Sequence, residues 1–130
     1  MPVVALVVDD SMVIRHTISR FLEERGFAVE SASNGVEALA VADRVPLGLI
    51  ITDIRMPTMG GTELITALKS SPQTAGVPIV ILTGHSIGFD GKETRAHFTI
   101  FKDIDIQEQL ERALAAITHS RAASAQTPGI

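Results

Sequence analysis

The sequence predicts an α/β domain: a doubly wound five-stranded parallel sheet with helices packed on both faces. Three observations predict it. Short runs of β-branched and small apolar residues recur along the chain, at residues 3–8, 49–52 and 78–82, and each suits a strand buried on both faces. Between them lie stretches whose apolar residues are spaced for one face of a helix. The connections are short, so strand and helix alternate five times. Such alternation implies parallel strands joined by right-handed crossovers.

The chain has 130 residues, enough for one domain with a real core, and 45% of them are hydrophobic. Its net charge is −4 and it has no run of Lys or Arg, which argues against a nucleic-acid surface. With no cysteine there is no thiolate chemistry, disulfide framework or zinc–cysteine site. The first residues lack a basic segment, and their apolar run stops at Asp9, too short for a signal peptide or a membrane span. Residues 1–120 are expected to form the domain, and residues 121–130, small and polar, a flexible C-terminal tail or linker.

Residues 3–8 form the first strand, which ends in Asp9-Asp10-Ser11. Ser11 or Asp10 caps the first helix, where negative charge is favourable. That helix runs to about Arg25, with Ile14, Ile18, Phe21 and Leu22 on one face and Gly26 as its stop. Residues 27–31 read as a short strand at a sheet edge, and Asn34-Gly35 as a turn or cap. An Ala-rich helix over 36–44, with Val36, Leu39, Ala40 and Ala42, is stopped by Pro46. The strand 49–52 closes on Asp53, followed by a turn rich in Pro and Gly. A third helix covers 62–69, with Leu64, Ile65 and Leu68 inward. The strand 78–82 ends in Thr83. Gly84, Gly88 and Gly91 then interrupt any helix, each costing roughly 1 kcal/mol relative to Ala. A loop or a short, irregular fourth helix is expected there. Residues 98–101 form the fifth strand, ending in Lys102. The last helix starts at Asp105, with Ile106, Leu110, Ala113, Leu114 and Ile117 inward.

The strand ends therefore carry Asp9 and Asp10, Asp53, Thr83 and Lys102. In a parallel sheet those ends share one edge, where open α/β sheets place their ligands. Taken singly, each residue has a plain structural explanation: helix-capping acids, a solvated lysine, a common strand-terminal threonine. Taken together they suit a particular chemistry. Three carboxylates suit a hard divalent cation, Mg²⁺ or Mn²⁺, which takes oxygen ligands. A fixed ammonium can pair with Asp53 in one state and with a phosphoryl oxygen in another. The set suits phosphoryl transfer onto the Asp53 carboxylate, which must be free to attack and so not held in a permanent salt bridge. An acyl phosphate there would add charge and acceptors enough to draw Thr83 and its loop to a new position.

At these residues the chain resembles a two-component response-regulator receiver domain of the CheY-like superfamily. The matching stretches are Val7-Val8-Asp9-Asp10-Ser11, Thr52-Asp53-Ile54-Arg55-Met56-Pro57-Thr58-Met59-Gly60-Gly61, Ile81-Leu82-Thr83-Gly84-His85-Ser86 and Phe101-Lys102. The resemblance covers about residues 3–118. It implies a flavodoxin-like fold with strand order 2-1-3-4-5. It implies that Asp53 takes a phosphoryl group from a phosphohistidine on a sensor histidine kinase or phosphotransfer protein. Asp10 and Asp53, with the carbonyl of Arg55, would hold Mg²⁺ directly, and Asp9 largely through water. Thr83 and Lys102 would carry the switch and phosphate-contact roles, while Arg55 and His85 would tune the lifetime of the phosphoryl group. The implied molecule is a cytoplasmic phosphoacceptor signalling protein. It is not a turnover enzyme, it works through an output protein, and it contacts neither nucleic acid nor membrane.

The chain departs from that family's pattern in three places. Asp103 follows Lys102 where the family usually has proline. The family's switch aromatic falls at Thr99, between Phe98 and Phe101. The stretch from Thr83 to Lys102 is short and glycine-rich. Three rival readings remain in view. A nucleotide-binding enzyme lacks its Gly-x-Gly-x-x-Gly or Walker motif here. An acid-nucleophile phosphatase would have a second acid where this chain has Arg55. A pseudo-receiver that only binds partners would not need the full acid set. After the last helix too little chain remains for an output domain, so the sequence reads as a stand-alone receiver or a receiver from a longer regulator.

Overall fold

The structure, a computed structural model, describes residues 3–54, 59, 61–84, 98–102 and 105–126. Strands β1 (Val4–Val8), β2 (Ala28–Ala32), β3 (Leu49–Asp53), β4 (Ile79–Thr83) and β5 (Phe98–Phe101) form one sheet. All neighbours are parallel, in the order β2-β1-β3-β4-β5. The predicted doubly wound arrangement and strand order are those observed. The described helices are α1 (Met12–Glu23), α2 (Gly35–Arg44), α3 (Gly61–Lys69) and α4 (Ile106–Gln126).

Side chains alternate across each strand and divide the core into two layers. Ala5, Val7, Leu49, Ile51, Val80, Leu82 and Ile100 pack with Ile18, Phe21 and Leu22 of α1 and Leu110, Ala113 and Ile117 of α4. Leu6, Val8, Ile50, Ile79 and Ile81 pack with Ala38, Val41 and Ala42 of α2 and Leu64, Ile65 and Leu68 of α3. Leu49, Ile50 and Ile51 are at most 2% exposed. Burying each such side chain stabilises by roughly 1.5–3 kcal/mol. That anchors β3 firmly enough to carry the costly carboxylate at its end.

The helix ends follow the chemistry of their caps. Ser11 caps α1, its hydroxyl accepting from the Ile14 N–H at 3.3 Å. Gly26, at φ +91, makes the left-handed turn after it. Asn34 caps α2 by accepting from the Glu37 N–H at 2.9 Å, and Glu37 reaches back to accept from the Ser33 N–H at 3.0 Å. At the end of α3 the buried Thr74 hydroxyl donates to the Leu68 carbonyl at 2.6 Å. Asp105 caps α4, accepting from the Glu108 N–H at 3.2 Å.

Packing settles local details that the sequence pattern leaves open. The inward face of α2 is Ala38, Val41 and Ala42; Val36 is 50% exposed and Ala40 is also exposed. Alanine carries too little hydrophobic signal to fix the phase of a short helix. Helix α1 ends at Glu23, before Arg25. Helix α4 continues through Gln126. Ala122, Ala123 and Ala125 are strong helix formers, and small side chains do not end a helix. The expected fourth helix falls on residues 85–97, outside the described residues.

Candidate functional site

The register of the sheet builds the site. Val8 pairs with Thr52 across β1 and β3, so Asp9 and Asp53, each one residue further, emerge level with one another. Asp53 pairs with Leu82, and Thr83 with Phe101, so Thr83 and then Lys102 follow in a staircase along the same edge. Asp53 continues the row of Leu49 and Ile51, facing the layer of α1 and α4. Thr83 lies in the row of Ile79 and Ile81, on the opposite side. The threonine therefore shares the edge with Asp53 but stands diagonally from it.

Asp9 is fully buried and held at four points. Its N–H donates to the Ala32 carbonyl at 3.1 Å, and its own carbonyl accepts from Arg15 Nη1 at 2.6 Å. Oδ1 accepts from the Ser11 N–H at 2.8 Å, and Oδ2 meets Lys102 Nζ at 2.6 Å. That last contact is an ion pair whose angle falls outside hydrogen-bond geometry. The same ammonium donates to Asp53 Oδ2 at 2.7 Å. Asp53 is 5% exposed and Thr83 8%, while Asp10 is open to solvent. Lys102 reaches inward to these carboxylates, and its N–H is fixed to the Thr83 carbonyl at 2.8 Å.

Electrostatics at the cluster are unbalanced. Burial pushes the Asp9 carboxyl above the usual aspartate range, and the charge of Asp53 adds to this; Lys102 and the Ser11 N–H oppose it. Burial works against the Lys102 ammonium, but Asp53 and Asp9 outweigh it and hold its pKa above the ordinary value. Asp9, Asp10 and Asp53 each bring a carboxylate oxygen within 4.8 Å of the others. One ammonium does not neutralise three carboxylates. An all-oxygen, electron-rich cluster of this kind fits a hard divalent cation.

A family model for the response regulator receiver domain matches residues 5–114. The chain belongs to that family. Among curated relatives, the receiver is 32% identical over 120 residues to the response regulator MprA of a Mycobacterium species, covering 90% of this chain and 51% of that one. It is 35% identical over 85 residues to a probable transcriptional regulator, ycf29, of Pyropia yezoensis, covering 65% of this chain and 38% of that one. The chain thus spans about half or less of the length of these relatives. Among solved structures, the chemotaxis response regulator CheY4 of Vibrio cholerae superposes with a TM-score of 0.79 at 30% identity, covering 89% of this receiver and 99% of that chain. A CheY-like receiver domain from Methylobacillus flagellatus gives 0.78 at 27% identity, covering 90% and 99%. Receiver domains are signalling modules that interact with histidine kinases or phosphotransfer proteins, and the family binds Mg²⁺ at an acidic pocket. Among the described residues of this receiver, no helix is long and apolar enough to cross a membrane.

The structure brings together Asp9, Asp10, Asp53 and Lys102, with Thr83 beside them along the edge. Arg55, His85 and Asp103 lie outside the described residues. Of the residues considered for the switch aromatic, Phe98 packs into the α1/α4 layer, and Thr99 and Phe101 are half-buried in the alternate row of β5. Two contributors were not found by reading the sequence. Arg15 holds the Asp9 backbone, and only its place one turn beyond the Ser11 cap hinted at that reach. Gln109 of α4 binds the backbone of Phe101, a pairing across sequence that no local pattern signals.

Proposed function

We propose that this receiver is a phosphorylation-switched signalling domain in which Asp53 accepts a phosphoryl group from a sensor histidine kinase or phosphotransfer protein. The observation that carries this reading is the Lys102 ammonium lying 2.7 Å from Asp53 and 2.6 Å from Asp9, with Asp10 in the same cluster. An Asp53 oxygen attacks phosphorus in line, a P–O bond forms as the donor's P–N bond breaks, and the imidazole leaves with the electron pair. Asp9, Asp10 and Asp53, with the carbonyl of Arg55, would hold Mg²⁺ or Mn²⁺, which when bound offsets the charge crowded at the transferred group. Lys102 moves from the Asp53 carboxylate to a phosphoryl oxygen, so its present pairing is the resting arrangement of an exchangeable one. Thr83 offers its hydroxyl to another phosphoryl oxygen, and its movement carries the change to the output partner. Arg55 and His85 are assigned the tuning of water attack on the acyl phosphate.

A sensor-kinase partner implies a cytoplasmic location. The net charge of −4 supports an output protein as partner rather than direct contact with nucleic acid or membrane. The test is incubation of the full chain with acetyl phosphate and Mg²⁺, followed by intact mass. Gain of one phosphoryl group, lost in Asp53→Ala, is the expected result. No gain at any donor concentration overturns the reading in favour of a pseudo-receiver. Loss of that gain when Mg²⁺ is chelated tests the metal assignment.

A further inference from the structure

Strand β5 is an edge of the sheet, and it delivers Lys102. Its inner side is held by pairing with β4, which fixes the Lys102 N–H on the Thr83 carbonyl. Among the described residues, no sixth strand pairs with its outer side at Phe101. A side chain takes that place. Gln109, on the first turns of α4, accepts from the Phe101 N–H through Oε1 at 2.9 Å. Its Nε2 donates to the Phe101 carbonyl at 2.8 Å and to the Asp105 carbonyl at 3.1 Å. A carboxamide carries the same donor and acceptor as a peptide group, so the side chain acts as one link of an extra strand. The amide orientation is fixed by its partners: a flip would set NH₂ against an N–H and oxygen against two carbonyls.

We propose that Gln109 is a positioning residue for Lys102: by closing the outer edge of β5 at Phe101 it fixes the point from which the lysine reaches Asp53 and Asp9. The residue next to the clamped one is the lysine itself, so a shift of the Phe101 peptide moves the root of the Lys102 side chain. Two of the three hydrogen bonds tie β5 to Gln109 of α4, and the third braces the Gln109 amide on the Asp105 cap, so displacement of that helix is transmitted to the ammonium. Glutamine suits the task on chemical grounds. Glutamate has no donor for the two carbonyls, leucine has neither group, and asparagine is one methylene shorter. That positioning of Lys102 matters for phosphoryl transfer rests on the function proposed above; that it depends on Gln109 does not.

Two readouts separate those claims. The first is limited acetylation of the full chain with acetic anhydride, followed by peptide mass. Lys69, whose ammonium donates to the Ala75 carbonyl, serves as the internal control. Gln109→Leu and Gln109→Glu are both expected to raise Lys102 acetylation relative to Lys69 by about fivefold, the factor that loss of a typical net hydrogen bond produces. The second is the rate of acetyl phosphate transfer in Mg²⁺, expected to fall by about the same factor in either variant. It is expected not to fall further when the variant is placed in a Lys102→Ala background, because both changes act through one group. Unchanged Lys102 acetylation in both variants overturns the proposal, as does an equal slowing of transfer with and without Lys102. If the unaltered chain takes up no phosphoryl group, the proposed function fails, and acetylation still decides the role of Gln109. If Gln109→Leu does not fold, Gln109→Glu, which keeps length and helix propensity, carries both readouts.

Discussion

The N–H of Gly35, at the start of α2, donates to the carbonyl of Met59 at 3.3 Å, and a Cβ at position 35 would come within 2.6 Å of Met59 Cγ and 2.9 Å of Met59 Cβ. The first turn of α2 is thus pressed against Met59, six residues beyond Asp53. Met59 cannot clear that space by swinging its thioether alone, because its own Cβ is in the way. Gly35→Ala is expected to lower stability by about 1–3 kcal/mol, the usual cost of overpacking. Urea denaturation measures it, and Met59→Ala in the same chain should restore part of the loss. A Gly35→Ala variant as stable as the parent would show that Met59 gives way at no cost.

Lys102→Met removes the cation shared by Asp53 and Asp9. The variant is expected to lose about 1–3 kcal/mol near neutral pH, the usual cost of removing a charge-assisted contact from buried groups, and to regain part of it on addition of Mg²⁺. The pH dependence has a definite sign. Because the folded pKa of Lys102 is raised above its ordinary value of 10.5, its contribution is complete below that value and fades as pH rises through the folded one. Denaturation of the parent should therefore show an alkaline loss of stability that Lys102→Met lacks.

Asp9→Asn should raise stability where Lys102→Met lowers it. Burial raises the Asp9 pKa above 3.8, so the folded chain binds the proton more tightly than the unfolded one. Stability then falls as pH rises from that value through the folded pKa, and the ionised group is a cost at neutrality. Asparagine keeps an acceptor for the Ser11 N–H without the charge. A gain of about 1 kcal/mol at pH 7, absent in acid, is expected. Mg²⁺ should stabilise the parent more than the variant in thermal melts. A loss of stability at pH 7 would mean that the ion pair with Lys102 outweighs desolvation.

Glu37 gives a smaller effect at the surface. Hydrogen bonds from the Ser33 N–H and hydroxyl lower its pKa from 4.5. A depressed acid contributes stability above its unfolded pKa and loses it as pH falls through the folded one. Glu37→Gln should lower the melting temperature at pH 7 and converge with the parent in acid. Equal differences at both ends of the pH range would remove charge from the explanation of this cap.

The site lies where strands end, and strand ends are easy to read when an apolar run stops at a charged residue. Asp9, Asp53 and Lys102 were legible for that reason, and the parallel topology brought them to one edge. The register that sets Asp9 level with Asp53 and puts Thr83 in the other row was not legible, since it depends on pairing between distant segments. The same holds for Gln109 on Phe101 and Gly35 against Met59. Glutamine in a helix and glycine after asparagine have ordinary local explanations, and only packing shows what they touch. The inward faces of α1, α3 and α4 were readable because Leu, Ile and Phe mark them. The face of α2 was not, because alanine is buried or exposed at little energetic difference.

Gln109 on the Phe101 peptide has a consequence for encounters between copies of this chain. The free border of a sheet is a template on which another chain can add a strand, and growth of that kind leads to aggregation. At Phe101 the outward donor and acceptor are already taken. An invading strand would have to evict the amide before it could register there, so the border that carries Lys102 is sealed at its last rung.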